Sequence, residues 1–165
     1  AVLMPDAAQV YADNYRFKVS ESKFSQHLCG AHRPGHFDGV LTVVMRLLNL
    51  VRPDNAYFGE KDYQQLQLIR DMVAAFFMPI NIVACVTVRE ADGLDMSSRN
   101  QRLNKKERDQ APSLYATLKT SRSAAEARDA LVRLGFEVDY VEDIKNRRLA
   151  AVRLGNTRLI DNVPI

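Results

Sequence analysis

The sequence predicts an α/β fold in two parts: half of a parallel α/β domain, then a small α+β domain with a three-stranded antiparallel sheet. Strand-like and helical periodicities alternate as far as Arg89, and a polar stretch at residues 90–100 then changes the character of the chain. Three strand-like runs close it, the last two joined by Gly155-Asn156, a favoured two-residue hairpin turn.

Taken in order, residues 1–4 form an apolar run that stops at Pro5 and reads as a strand, entered without an initiator Met as in a chain cut into at a strand. Residues 15–19 suit an extended segment. Cys29-Gly30-Ala31-His32-Arg33-Pro34-Gly35-His36-Phe37 reads as an irregular loop because Gly and Pro punctuate it. Val40, Val43, Val44, Leu47, Leu48 and Val51 recur at helical spacing, so residues 39–50 should form a helix that Arg52-Pro53 ends. Ala56, Tyr57 and Phe58 read as a short buried strand. Leu66, Ile69, Val73 and Phe76 then mark a helix broken at Met78-Pro79, and the β-branched run at residues 80–88 suits a buried parallel strand. Asn104 with Glu107, and Ser123 with Glu126, have capping-box spacing, and Gly135 suits the position just past a helix end. Residues 137–144, 149–154 and 157–160 are the closing strands. The polar stretch divides the chain into domains at residues 1–93 and 94–165.

Composition narrows the function classes. Of 165 residues, 47% are hydrophobic and 26% charged, an ordinary globular balance that argues against disorder. A net charge of +3 arises from 23 basic and 20 acidic residues mixed along the chain, which is a poor footprint for nucleic acid. No apolar run reaches the roughly 18 residues of a membrane span, and Cys29 and Cys85 lie too far apart for a metal or redox motif. Free thiols suit a reduced, cytoplasmic setting. The three histidines have no metal-ligand spacing, and neither standard phosphate-loop motif occurs.

Three segments could carry chemistry. In Phe58-Gly59-Glu60-Lys61-Asp62-Tyr63-Gln64-Gln65 a glycine, a cation and a carboxylate sit where a strand becomes a helix, the place where α/β proteins meet phosphates. Lys61 there could neutralise phosphate oxygens or be a plain surface lysine. Asp62 and Gln65 also have the spacing of a helix capping box. Met96-Ser97-Ser98-Arg99-Asn100 offers hydroxyls and a forked cation suited to a polyphosphate, or a loop whose arginine pairs with a surface carboxylate. In Arg33-Pro34-Gly35-His36-Phe37, Arg33 could hold a carboxylate and His36 could bond phosphate or move a proton, or both could be structural.

Together with Asp92-Gly93-Leu94 and Arg158-Leu159-Ile160-Asp161-Asn162, these segments resemble the pantothenate synthetase (pantoate–β-alanine ligase) family from end to end. The resemblance implies a partial Rossmann-like sheet of the nucleotidyltransferase (HUP) type over residues 1–93 and a lid domain over residues 94–165. It implies ATP- and Mg²⁺-dependent conversion of pantoate to pantoyl adenylate with release of pyrophosphate, then attack by β-alanine to give pantothenate and AMP. By motif, Gly59, Glu60, Lys61, Asp62, Val88, Met96, Ser97, Ser98 and Arg99 would contact ATP, Lys61 and Arg99 acting catalytically. Gln65 would hydrogen-bond pantoate, Arg33 and His36 would line the site, and no residue of the chain would bind metal. The family's first signature, His-x-x-His, does not occur in these residues. The chain is therefore expected to be the C-terminal portion of an intact, cytoplasmic homodimer, inactive on its own, without membrane or nucleic-acid partners. The competing readings are a non-catalytic nucleotide- or partner-binding module and another adenylate-forming nucleotidyltransferase.

Overall fold

A computed structural model describes residues 2–165, and it is mixed α/β. The chain forms two compact units: residues up to Phe58 together with Gln64–Cys85, and Gly59–Tyr63 together with Val86–Ile165. No helix among the described residues is long and apolar enough to cross a membrane.

In the first unit, α1 (Ala7–Val10) and α2 (Cys29–His32) are single turns, and α3 (His36–Val51) is the first long helix. Helix α3 buries Phe37, Leu41 and Leu48 and ends at Arg52, which takes a left-handed conformation just before Pro53. Strand β1 (Asn55–Gly59) and strand β2 (Asn81–Cys85) form a parallel two-stranded sheet, connected through α4 (Tyr63–Ala75). Leu66, Leu68, Ile69, Met72 and Val73 are the buried side of α4.

Four expectations need correction here. The strand expected at residues 1–4 does not form: residues 2–4 have no regular structure, pair with no strand among the described residues and leave Val2 and Met4 exposed, while Ala1 lies outside those residues. The extended segment at residues 15–19 is irregular, because Asn14 and Tyr15 have positive φ and turn the chain, and Val19 N–H goes to Thr42 Oγ1 instead of a ladder. The loop expected at residues 29–37 contains α2 and the start of α3, with Gly35 at φ 76° supplying the turn between them. Strand β2 stops at Cys85, short of Val88, because Val88 instead gives its carbonyl to Met96 N–H at 3.0 Å.

In the second unit, α5 (Lys105–Gln110), α6 (Ser113–Thr120) and α7 (Ala124–Arg133) precede the antiparallel sheet β3 (Glu137–Ile144), β4 (Arg147–Leu154) and β5 (Thr157–Pro164), in the order β3-β4-β5. Strands β4 and β5 pair from Arg147 with Pro164 through Leu154 with Thr157, so both run longer than the apolar runs suggest. Asn104 and Glu107 form the expected reciprocal capping box. Ser123 caps α7, but Glu126 turns its carboxylate to Arg122 N–H rather than to the cap. Gly155 closes the β4–β5 turn at φ 55°, and a Cβ there would run into the Glu107 carboxylate. The core of this unit joins Leu114, Leu118, Ala127 and Leu131 to Ala150, Val152, Leu159 and Val163. Its largest buried polar side chain is Arg148, held by Asp143 and by the carbonyls of Leu118 and Ser121.

Candidate functional site

The segment that begins at Gly59, the last residue of β1, is built into the second unit. Glu60, Lys61 and Asp62 form one 3₁₀ turn that runs directly into α4. Three side chains from the second unit grip it. Asn162 on β5 donates its amide to the carbonyls of Glu60 (2.9 Å) and Lys61 (3.0 Å). Arg147 on β4 pairs with Glu60 at 2.6 Å and also donates to Asn162 Oδ1. Asp95, 2% exposed, forms an ion pair with the Lys61 ammonium.

Around this turn the charges alternate. Arg89 holds Asp161 through both guanidinium nitrogens (2.7 and 2.8 Å) and donates to the carbonyl of Gly93. Burial pushes the Asp161 carboxyl above its ordinary range, and the Arg89 guanidinium pulls it back. Lys61 with Asp95, Arg89 with Asp161, and Arg147 with Glu60 thus form three cation–carboxylate pairs in one unit.

Gly59 has an ordinary extended backbone (φ −69°, ψ 135°), and a Cβ there would meet nothing within 4 Å. The fold makes no demand for glycine at this position, so the open space beside it is available to a ligand. Asp62 is exposed, and the capping box suggested by its spacing with Gln65 is absent, because Asp62 lies inside the 3₁₀ turn instead of at an extended cap. Gln65 is half-buried in the first unit, but its neighbour Gln64 is the one engaged: buried, it accepts from Cys29 N–H and donates to the carbonyls of Phe24 and His27.

The second segment opens with Val88, 62% exposed, whose carbonyl bonds Met96. Ser97 takes an extended conformation and its Oγ accepts from Arg99 N–H, starting the 3₁₀ turn Ser98–Arg102. Ser98 and Arg99 are exposed, and Arg99 pairs with no carboxylate among the described residues. Met96, Ser97, Ser98 and Asn100 line an open pocket of about 600 Å³ with Glu90 and Arg108. Asn100 donates to the carbonyl of Asp95 at 2.9 Å, while its Oδ1 is buried without a donor among the described residues.

The second unit therefore brings together Gly59, Glu60, Lys61, Asp62, Val88 and Met96 through Arg99, and Asp95 is the common link. Gln65, Arg33 and His36 belong to the first unit. There Arg33 Nη1 lies 3.0 Å from His36 Nε2, a contact that needs an unprotonated Nε2 as acceptor. Sequence reasoning assigned nothing to Asp95, Arg89 or Asn162. A signal existed for Asn162 in the closing Arg158–Asn162 motif, but the partner of its side chain could not be read from the motif itself.

Known proteins agree with the resemblance. The family model described as pantoate-beta-alanine ligase matches residues 1–164. Pantothenate synthetase of Bdellovibrio bacteriovorus is 58% identical over 165 residues, and that of Legionella pneumophila strain Lens 51% identical over 160; the chain spans 66% and 64% of their respective lengths. Among solved structures, the pantoate-beta-alanine ligase of Francisella tularensis, complexed with beta-gamma ATP and beta-alanine, superimposes with a TM-score of 0.87 at 36% identity over 95% of this chain and 61% of its own. The pantothenate synthetase of Thermus thermophilus gives 0.88 at 39% identity over 97% and 67%. These neighbours place the fold in the nucleotidyltransferase (HUP) class. With the match running over nearly every residue, the chain belongs to the pantoate-beta-alanine ligase family.

Proposed function

We propose that the protein carrying these residues condenses pantoate with β-alanine using ATP, through a pantoyl adenylate, and that residues 59–62, 88 and 96–99 form the ATP-facing wall of its site. The observation that carries this reading is Asp95, whose carboxylate holds Lys61 and whose carbonyl anchors the Ser97–Arg99 loop through Asn100. Two cations and two hydroxyls are thereby tied to one short frame, which suits a polyphosphate.

A carboxylate is a poor electrophile. In the first step the pantoate oxygen attacks the α-phosphorus and pyrophosphate leaves; Lys61 and Arg99 offset the charge that develops on it. In the second, the β-alanine amine attacks the acyl carbon and AMP leaves. Gly59 leaves room for the nucleotide, the exposed Val88 meets adenine, and Gln65 hydrogen-bonds pantoate. Arg33 and His36 line the substrate side. The complex of the Francisella relative with beta-gamma ATP and beta-alanine supports ATP and β-alanine as two of these substrates.

Mg²⁺ would neutralise charge on the ATP phosphates. Among the described residues no group of three or more His, Cys, Asp or Glu could hold it, and Asp95 is engaged with Lys61. Mg²⁺ keeps several waters and is commonly held by substrate phosphates with one or two carboxylates, so the nucleotide itself would supply most of its ligands. The reading also takes residues 1–93 as nucleotide-binding, residues 94–165 as a lid, and the intact protein as a cytoplasmic homodimer. Without a His-x-x-His signature, the chain by itself binds ATP weakly and makes no pantothenate.

The test is AMP release from ATP with pantoate and β-alanine, for the full-length protein and for residues 1–165. Full-length turnover that needs both substrates supports the reading. Pyrophosphate exchange without pantoate, or normal turnover by residues 1–165 alone, would contradict it.

A further inference from the structure

We propose that Asp95 is a positioning residue for Lys61, keeping one N–H of the ammonium on its carboxylate so that the others face a phosphate. This rests on the reading of Lys61 as the cation that meets ATP.

A lysine side chain on a surface turn is mobile, and a flexible four-carbon stem separates its ammonium from the main chain. Lys61 is fixed at both ends. Its main-chain carbonyl is held by Asn162, and its ammonium by Asp95, leaving only 19% of the side chain exposed. Asp95 in turn needs a cation, because its side chain is 3% exposed and Arg89, the nearby alternative, is already committed to Asp161 and Gly93. An ammonium has three donors and the carboxylate engages it from one side, so pairing with Asp95 orients Lys61 without exhausting it.

The main chain of Asp95 is equally constrained. Residue 95 bridges Arg89 in a short antiparallel ladder, flanked by Glu90 N–H to Leu94 carbonyl at 2.8 Å and Met96 N–H to Val88 carbonyl at 3.0 Å. Its carbonyl receives Asn100 Nδ2 at 2.9 Å. One residue thus sets the Lys61 ammonium with its side chain and the Ser97–Arg99 loop with its backbone, which fixes the spacing between the two cationic parts of the site.

The test is the rate at which a water-soluble acylating reagent modifies Lys61 in residues 1–165 at mildly alkaline pH, read by peptide mass spectrometry against Lys105 and Lys106. The ion pair should make Lys61 slower than Lys105 in wild type by about fivefold or more, and Asp95→Asn should remove most of that difference while Lys105 and Lys106 stay unchanged. Asp95→Glu, which keeps the carboxylate, should restore the slow rate. An unchanged Lys61 rate in folded Asp95→Asn overturns the proposal. Should that variant fail to fold, with all lysines rising together, the wild-type ratio decides, and a Lys61 as reactive as Lys105 overturns it. Adding ATP to the full-length protein separates the two readings: ATP slows Lys61 further where the ammonium meets phosphate, whereas no effect of ATP there removes the ATP reading and leaves the hold by Asp95 intact.

Discussion

The side-chain amide of Asn162 donates to the backbone carbonyl of Lys61 across 101 residues of sequence, and to that of Glu60 beside it. Removing it leaves two carbonyls and one guanidinium N–H of Arg147 without their partner. Asn162→Ala should therefore destabilise the second unit by about 1–3 kcal/mol in urea unfolding. It should also weaken ATP binding by the full-length protein, since the main chain of Lys61 is no longer held. Equal unfolding midpoints would show that the clamp contributes nothing.

Gly59 separates folding from binding. A Cβ there meets nothing within 4 Å and φ is −69°, so Gly59→Val should change stability by no more than about 0.5 kcal/mol. ATP affinity should nevertheless fall by about tenfold or more, because the side chain enters the space beside the 3₁₀ turn. Calorimetric titration with ATP, alongside thermal unfolding, checks both halves.

Gln64 and Gln65 are adjacent and should behave oppositely. Gln64 ties three backbone groups of the loop at Phe24, His27 and Cys29, so Gln64→Ala should cost about 2 kcal/mol of stability. Gln65 is not part of that set of bonds, and Gln65→Ala should leave stability within about 0.5 kcal/mol. In the full-length protein Gln65→Ala should instead raise the KM for pantoate. Steady-state kinetics and unfolding on the two variants distinguish them.

Acid should weaken the second unit through Asp143. The hydrogen-bonded Arg148 guanidinium holds the Asp143 carboxyl below its ordinary value of 3.8. A depressed carboxyl contributes stability that is present above 3.8 and lost as pH falls through its lower folded value. At neutral pH Asp143→Asn should cost about 1–2 kcal/mol, mostly from leaving the buried Arg148 short of its counter-charge. That difference from wild type should shrink steadily in unfolding experiments below pH 3.8. A difference independent of pH would mean that the pair carries no linkage.

Much of the fold is legible in local chemistry. The apolar spacing of α3 and α4, the Asn104–Glu107 capping box and the Gly155-Asn156 turn all depend on residues a few positions apart, and each forms. The failures share a cause. Residues 2–4 are strand-like in composition, but a strand needs a neighbour to pair with. Val88 extends an apolar run, but its carbonyl is claimed by Met96 across a tight return of the chain. Asp62 and Gln65 have capping spacing, but the preceding turn is already helical. Of the candidate residues, Gly59, Lys61 and the Ser97–Arg99 loop could be named from motif and residue type, whereas Asp95 carried no local mark at all.

The sequence by itself determined the family, the periodic elements and the residue types offered to a phosphate, because these are written in neighbouring side chains. Only the tertiary structure decided that Gly59–Tyr63, which begins at the last residue of β1, is built into the second unit. The reason is physical: the turn has no buried apolar side chain of its own. What holds it are the amide of Asn162, the guanidinium of Arg147 and the carboxylate of Asp95, groups distant in sequence that meet Glu60 and Lys61 only once the chain has folded.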